Sequence, residues 1–547
     1  MFRYAFFGRT VLAFAFALAA ALAGCTHATG NLHPWTHRDT LVAGMTGNVN
    51  TLNPILTTES FEVQVFSLIF DPLIETRPDG TDVGILAVRV PTLENGDISR
   101  DGMRITYHLR SGVKWQDGAP FSSADVAFTW RAIMNPNTAV STRHGYDIVS
   151  RIDTPDPTTA VVHLKSPFAP FVHTFFGPSD EPFAILPEHL LAKYRDLNDV
   201  PFNAMPIGTG PYRLTKWARG DRFTFAANDA YFLGKPAIAS ISIRIVPDEN
   251  VAAAQMRAHE LDWFIEASPR VYRQMQGIEG VDERLVAFNG YDAIQFNTSA
   301  KPFDDARLRR AVGLAIDKSA LVRTVTYGVE QPATEDLPRF LWAFDPKAGT
   351  TQRDLAGAKA LLDAAGWRPG SDGIRVRDGA RLELPLAFRS DSLTDRNRGV
   401  VIASMLREAG IDVELKGYTT ALLYGPFSGG GIMATGKFSA ALMTWYAGID
   451  PDDSTQFFCD QVPPAGLNWS RYCNRSVDAA ERIALTHYDR TTRARAYATV
   501  QNALATDAPY IYLWWPRQIE AINADLRGFA PNGVVEDWNA YQWRFGG

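Results

Sequence analysis

Residues 101–130 read DGMRITYHLRSGVKWQDGAPFSSADVAFTW, and the fold is decided there. Ile105, Tyr107 and Leu109 alternate with Arg104, Thr106, His108 and Arg110, the two-residue period of a half-buried strand. Ser111-Gly112 and Asp117-Gly118 are turn pairs, with glycine supplying backbone angles that other residues resist. Between those turns Trp115 stands in what reads as a second, short aromatic strand. Ser122 is followed three residues later by Asp125, as in a capping box, and Val126, Trp130 and Ile133 then recur at helical spacing. No side chain in the stretch is placed for chemistry, so it reads as scaffold.

The chain around it has 547 residues, 46% hydrophobic and 21% charged, a globular composition too long for a single core. Its net charge is −6, or −8 without Arg3 and Arg9, which gives no electrostatic reason to hold nucleic acid. Those two arginines and the apolar run from Val11 to Ala23 form an export leader over residues 1–24, shorter than a membrane-spanning helix requires. The leader ends in Leu22-Ala23-Gly24-Cys25, which resembles the lipobox of bacterial lipoproteins, where the cysteine is acylated. The mature chain is therefore expected outside the cytoplasm, tethered to a bacterial membrane through Cys25, with 25–37 as anchor and tether. Cys459 and Cys473 remain, and an even pair in an oxidising compartment is expected to form a disulfide. No metal site is expected, because neither cysteine has a histidine or cysteine at ligand spacing.

After Tyr291 the texture becomes strand–helix alternation. Asp305, Asp317 and Asp354 each stand as the cap of a helix. Leu382, Leu384, Leu386 and Phe388 alternate as a strand, a helix covers about 395–409, and Ile411, Val413 and Leu415 alternate as the next strand. This is a βαβ unit with parallel strands. Ser439 to Trp445 is a further strand. The glycines of Ile207 to Tyr212, IGTGPY, lack the third glycine of a dinucleotide fingerprint.

The 101–130 stretch resembles, almost residue for residue, the signature region of the family 5 extracellular solute-binding proteins, the dipeptide, oligopeptide and nickel receptors of ABC importers. Asn50-Thr51-Leu52-Asn53-Pro54, Asp71-Pro72-Leu73-Ile74, and the run from Asn228 to Phe264 continue the likeness. The resemblance implies an α/β, two-lobed periplasmic-binding-protein fold, class II and of the large type, with a ligand cleft between lobes. Lobe I would comprise 38–288 plus 516–547, with an extra subdomain at about 60–205; lobe II would comprise 289–515. It also implies a monomer that needs no cofactor, takes up a small solute, and passes it to membrane permease and ATPase subunits.

In such folds ligands collect beyond the carboxyl ends of parallel strands. One end is Arg389; the other is Trp445, Tyr446, Ala447, Gly448, Ile449 and Asp450. The dipeptide-binding branch grips the ligand carboxylate with an arginine at the first position, and a guanidinium fork suits that task. At the second position that branch carries an aspartate three residues after the tryptophan, as partner for the peptide ammonium. Here that position is Gly448, and the next acid is Asp450. Either Asp450 has moved in to hold the amine, or the ligand has no amine. Trp445 and Tyr446 would supply flat apolar walls and main-chain pairing for an extended ligand. A short peptide is the expected cargo, with a sugar, an opine-like conjugate or a metal chelate as alternatives. A secreted hydrolase or a sensor lipoprotein are the rival classes. Neither His-Glu-x-x-His nor Gly-x-Ser-x-Gly occurs, so no enzyme is expected.

Overall fold

Alternating aliphatic and β-branched runs assemble into two large sheets, and the strands at the centre of the second, Gly290–Phe296 and Tyr510–Trp515, are buried on both faces. The computed structural model describes residues 32–57, 59–179 and 182–546; the leader and Cys25 lie outside them. The first sheet has seven strands in the spatial order Val281–Ala287, Arg517–Asn523, Trp263–Phe264, Thr40–Met45, Ser240–Ile245, Arg222–Ala227 and Tyr212–Ala218. Thr40–Met45 runs parallel to both Ser240–Ile245 and Trp263–Phe264. The second sheet has six strands, in the order Gln331–Pro332, Tyr510–Trp515, Gly290–Phe296, Ala440–Tyr446, Glu383–Arg389 and Asp412–Tyr418. Its last three are mutually parallel.

The chain passes between the sheets twice: Val281–Ala287 belongs to the first and Gly290–Phe296 to the second, then Tyr510–Trp515 to the second and Arg517–Asn523 to the first. Phe288 donates its N–H to the Pro516 carbonyl at 3.4 Å, so the two crossings run side by side. A Cβ on Gly290 would lie 2.2 Å from the Trp445 carbonyl oxygen, which reserves this position for glycine. The second sheet is covered on one face by helices including Ala306–Ala315 and Leu393–Ala409, and on the other by Arg475–Thr486 and Arg490–Asp507.

The βαβ unit is formed as the alternation implies: Glu383–Arg389, the helix Leu393–Ala409, and Asp412–Tyr418 in parallel. Gly410, at φ 85°, takes the left-handed turn that stops the helix. Asp305, Asp317 and Asp354 each accept a backbone N–H at the start of a helix.

The 101–130 stretch lies in a smaller antiparallel sheet, where Arg104–His108 and Val149–Asp156 flank Thr159–Leu164. Ser122 caps Ser123–Met134, donating its N–H to Asp125 Oδ2 at 2.9 Å and accepting from the Ala124 N–H at 3.3 Å. The aromatic strand expected at Trp115 does not form. Its N–H meets the Ala119 carbonyl across the Asp117-Gly118 turn, and the pairing ends after the single bridge from Lys114 to Pro120. Beyond the bridge the Phe121 N–H still reaches the Val113 carbonyl at 3.0 Å, and the chain then turns at once into the helix capped by Ser122, so no strand length remains to pair. At the other end, Trp35 stacks on His259 at 3.7 Å and Thr36 donates to Asp525 at 2.8 Å. These positions of the expected tether thus pack on the folded body.

Cys459 and Cys473 form a disulfide that fastens the loop ahead of Arg475–Thr486. Closing a loop of roughly 15 residues restricts the unfolded chain by ~3 kcal/mol. Replacing both cysteines by serine is expected to lower the thermal unfolding temperature by several degrees, read by calorimetry. An unchanged transition would show that the bond contributes nothing.

Candidate ligand-binding cleft

The carboxyl end of the second sheet's parallel strands carries Arg389, Tyr418 and Tyr446; that of the first carries Met45, Ile245 and Phe264. The two ends meet at the crossings. Phe288 stands edge-on to Tyr446 with ring centres 5.1 Å apart, and the Ala447 N–H donates to the Asn289 carbonyl at 2.9 Å. Asn289 Nδ2 donates to the Gly448 carbonyl, and the Ile449 N–H donates to the Pro178 carbonyl at 3.1 Å.

Arg389 is partly open to the cleft and anchored from behind. Its Nε and Nη2 donate to the two oxygens of Asp395 at 2.7 and 3.0 Å. Asp395 also accepts from Arg398 Nη2 at 2.8 Å, and Arg398 Nη1 donates to Asp292, which accepts from Thr444 Oγ1 at 2.8 Å. Burial opposes ionisation of Asp395, but Arg398 and Arg389 outweigh it and hold the carboxyl below its ordinary range. The sequence placed Arg389 at a strand end; it did not reveal that half of the guanidinium fork is already engaged.

Trp445 packs edge-on against Trp469 with centroids 6.3 Å apart, and Tyr424 stands 5.9 Å from Trp469. Tyr446 differs from these: its residue surface is 58% exposed, yet protein surrounds the phenol closely enough to push its pKa well up, burial first and then Asp292 and Glu266. Gly448 is buried and contributes only its carbonyl, to Asn289.

Asp450 does not stand free in the cleft. Arg493 Nη1 and Nη2 donate to its two oxygens at 2.8 and 2.5 Å, and His173 Nδ1 lies 3.7 Å away. The second nitrogen of His173 reaches Asp82 at 3.0 Å. This chain of charges joins the loop after Ala440–Tyr446 to the element Phe171–Thr174 of the other half. The candidate amine partner is therefore bound bidentately by an internal arginine.

On the opposite wall stands Glu266, just past the parallel strand Trp263–Phe264, with φ at 52° and its carboxylate accepting from Ser60 Oγ. Behind it lie Glu520, which accepts from Trp263 Nε1 at 2.5 Å, and Glu536. Burial pushes Glu520 up to about 8, with Glu266 adding to the shift. Sequence reasoning missed these acids, since nothing in the segment sets Glu266 apart from its neighbours Glu260 and Asp262, and the other two come over 250 residues later. Among the described residues, no group of three histidine, cysteine or acidic side chains is arranged to hold a metal ion, and no helix is long and apolar enough to cross a membrane.

The family model described as bacterial extracellular solute-binding proteins, family 5 middle, matches residues 88–463. Protein XP55 of Streptomyces lividans is 32% identical over 508 residues, covering 91% of this chain and 88% of that protein. The oligopeptide-binding protein AppA of Bacillus subtilis is 24% identical, over 92% and 91% of the two chains. Its structure, in complex with a nonapeptide, superposes with a TM-score of 0.77 over 92% of this chain and 98% of that one. NikZ from Campylobacter jejuni, in complex with Ni(L-His), superposes with a TM-score of 0.78 at 25% identity, over 93% and 100%. With two thirds of its length under the family model and a relative this similar across its span, the chain belongs to the family 5 bacterial extracellular solute-binding proteins, which bind solutes and are not enzymes.

Proposed function

We propose that this chain is the lipid-anchored receptor of an ABC importer, held at the membrane through Cys25, and that it captures a short peptide between its lobes for delivery to a permease. Lobe I would be 38–288 with 516–547, including the subdomain at about 60–205, and lobe II 289–515. The observation that carries the cargo reading is Arg389, partly open at the carboxyl end of a parallel strand, with the Tyr446 ring in reach of a ligand and the backbone of Ala447 and Gly448 beside it. The oligopeptide-binding AppA, similar over nearly the whole chain, supports the same cargo class. Closure is then a population shift, driven only by the contacts the ligand adds when both lobes reach it.

The test is the Arg389→Ala variant, titrated calorimetrically with short peptides identified by mass spectrometry of small molecules released from the purified protein. A hydrogen bond to a charged group contributes ~1.5–3 kcal/mol, so peptide affinity is expected to fall about 10- to 100-fold. Asp395 retains Arg398 as partner, so folding survives the change. Unchanged affinity, or the release of sugars alone, would remove the carboxylate-gripping role.

A further inference from the structure

Neither of the second-lobe positions expected to meet a ligand cation is available for it: Gly448 has no side chain, and both oxygens of Asp450 are held by Arg493. The first-lobe wall shows the reverse. Glu266 and Glu520 lie on segments joined by the Ala267 N–H to the Ile519 carbonyl at 2.9 Å, Glu536 is within electrostatic reach of both, and the side chains that act most strongly on the three are one another, Asp537, Ser60 and Trp263, none of them basic. Glu536 is fully buried, and neither of its carboxylate oxygens has a hydrogen-bond partner; one oxygen of Glu520 is equally bare. Carboxyl groups in such company stay together only by holding protons or by receiving a cation from outside. Of the three, Glu266 alone keeps exposed surface, and it lies beyond a parallel strand where ligands collect. Across the gap, the exposed Tyr446 lies within electrostatic reach of both Glu266 and Arg389.

From this arrangement we infer that Glu266, backed by Glu520 and Glu536, is the cation subsite of the cleft and takes the ammonium group of a solute whose carboxylate lies on Arg389. The inference rests on the receptor reading above and adds where the cargo's positive end goes. A zwitterionic solute then spans the two lobes, negative end on the second and positive end on the first, with the face of Tyr446 available to the cation on the way. Neither lobe alone satisfies both ends, so bridging itself favours the closed form.

The mature protein and its Glu266→Gln and Arg389→Ala variants would be titrated with trialanine, N-acetyl-trialanine, trialanine amide, putrescine and sucrose, with thermal stabilisation as a second readout. In the unaltered protein, acetylating the peptide amine is expected to weaken binding at least tenfold. In Glu266→Gln the same acetylation should cost less than twofold, while in Arg389→Ala its full cost should persist. An acetylation penalty equal in Glu266→Gln and the unaltered protein overturns the assignment. So does the absence of any penalty in the unaltered protein, a result that needs no variant to fold. Binding of putrescine without any of the three peptides would uphold the cation subsite and remove the peptide reading. Stabilisation by sucrose alone, or by none of the amine probes, would remove both.

Discussion

An Arg493→Ala protein is expected to unfold with ~3–5 kcal/mol less stability, because the change removes both hydrogen bonds of the bidentate pair and leaves the buried Asp450 with His173, 3.7 Å away and shared with Asp82, as its cation. Both partners are nearly sealed from solvent, and the arginine meets the carboxylate through two parallel hydrogen bonds. Urea unfolding followed by tryptophan fluorescence would read the loss as a shift of midpoint. The double variant Asp450→Asn with Arg493→Ala should recover part of it, since an amide is cheaper to bury than a lone carboxylate. Additive losses would show that the two groups do not interact.

The same chain of charges carries a pH dependence through His173. Burial works against its positive charge, but Asp450 and Asp82 overcome this and push the imidazole up to about 9 from an ordinary 6.5. A raised value means that the folded form binds the proton more tightly than the unfolded one. The stabilisation is therefore complete below about pH 6.5 and is lost as pH rises through about 9, to an extent on the order of 2–3 kcal/mol. In His173→Gln the fall in melting temperature between pH 6 and pH 9.5 should be correspondingly shallower. Because this contact joins Phe171–Thr174 to the loop after Ala440–Tyr446, its loss should also widen the particle in X-ray scattering of the unliganded protein.

What the sequence made legible was local. Ser122 and Asp125 lie three residues apart and meet as a capping box, and the alternation around Leu384 and Leu386 yields a strand paired in parallel with its successor. Arg389 could be placed at a strand end because the strand's period ends there. Trp115 failed the same kind of reading, since alternation of apolar residues cannot show that the pairing closes after one bridge and gives way to the helix capped by Ser122. The charges of the cleft were illegible for another reason: their partners come from distant parts of the chain. Asp450 finds Arg493 on a helix 43 positions later, and Glu266 finds Glu520 and Glu536 on elements that only the second crossing returns to the first lobe. An acid's role here depends on which cation reaches it, and that is fixed by tertiary packing.

Arg398 tests that principle at the centre of the second wall. It is fully buried, joins Asp292 to Asp395, and holds its guanidinium 5.1 Å from the Trp514 ring centre. Arg398→Leu is expected to cost ~3–5 kcal/mol, because two buried carboxylates would then share the single cation of Arg389. Lysine should restore only part of the loss: its one ammonium cannot present the planar fork that meets both acids. The functional consequence is separable from the structural one. With Arg398 in place the four charges of Arg389, Asp395, Arg398 and Asp292 balance, so a ligand carboxylate arriving at Arg389 meets a neutral group. Without it the wall is net negative and repels that carboxylate. Peptide affinity of Arg398→Leu, measured at a temperature where the variant remains folded, should therefore fall although Arg398 itself touches no ligand, and converting the peptide to its amide should remove most of the difference. An amide penalty identical to that of the unaltered protein would mean that Arg398 holds the fold and does not set the charge felt at Arg389.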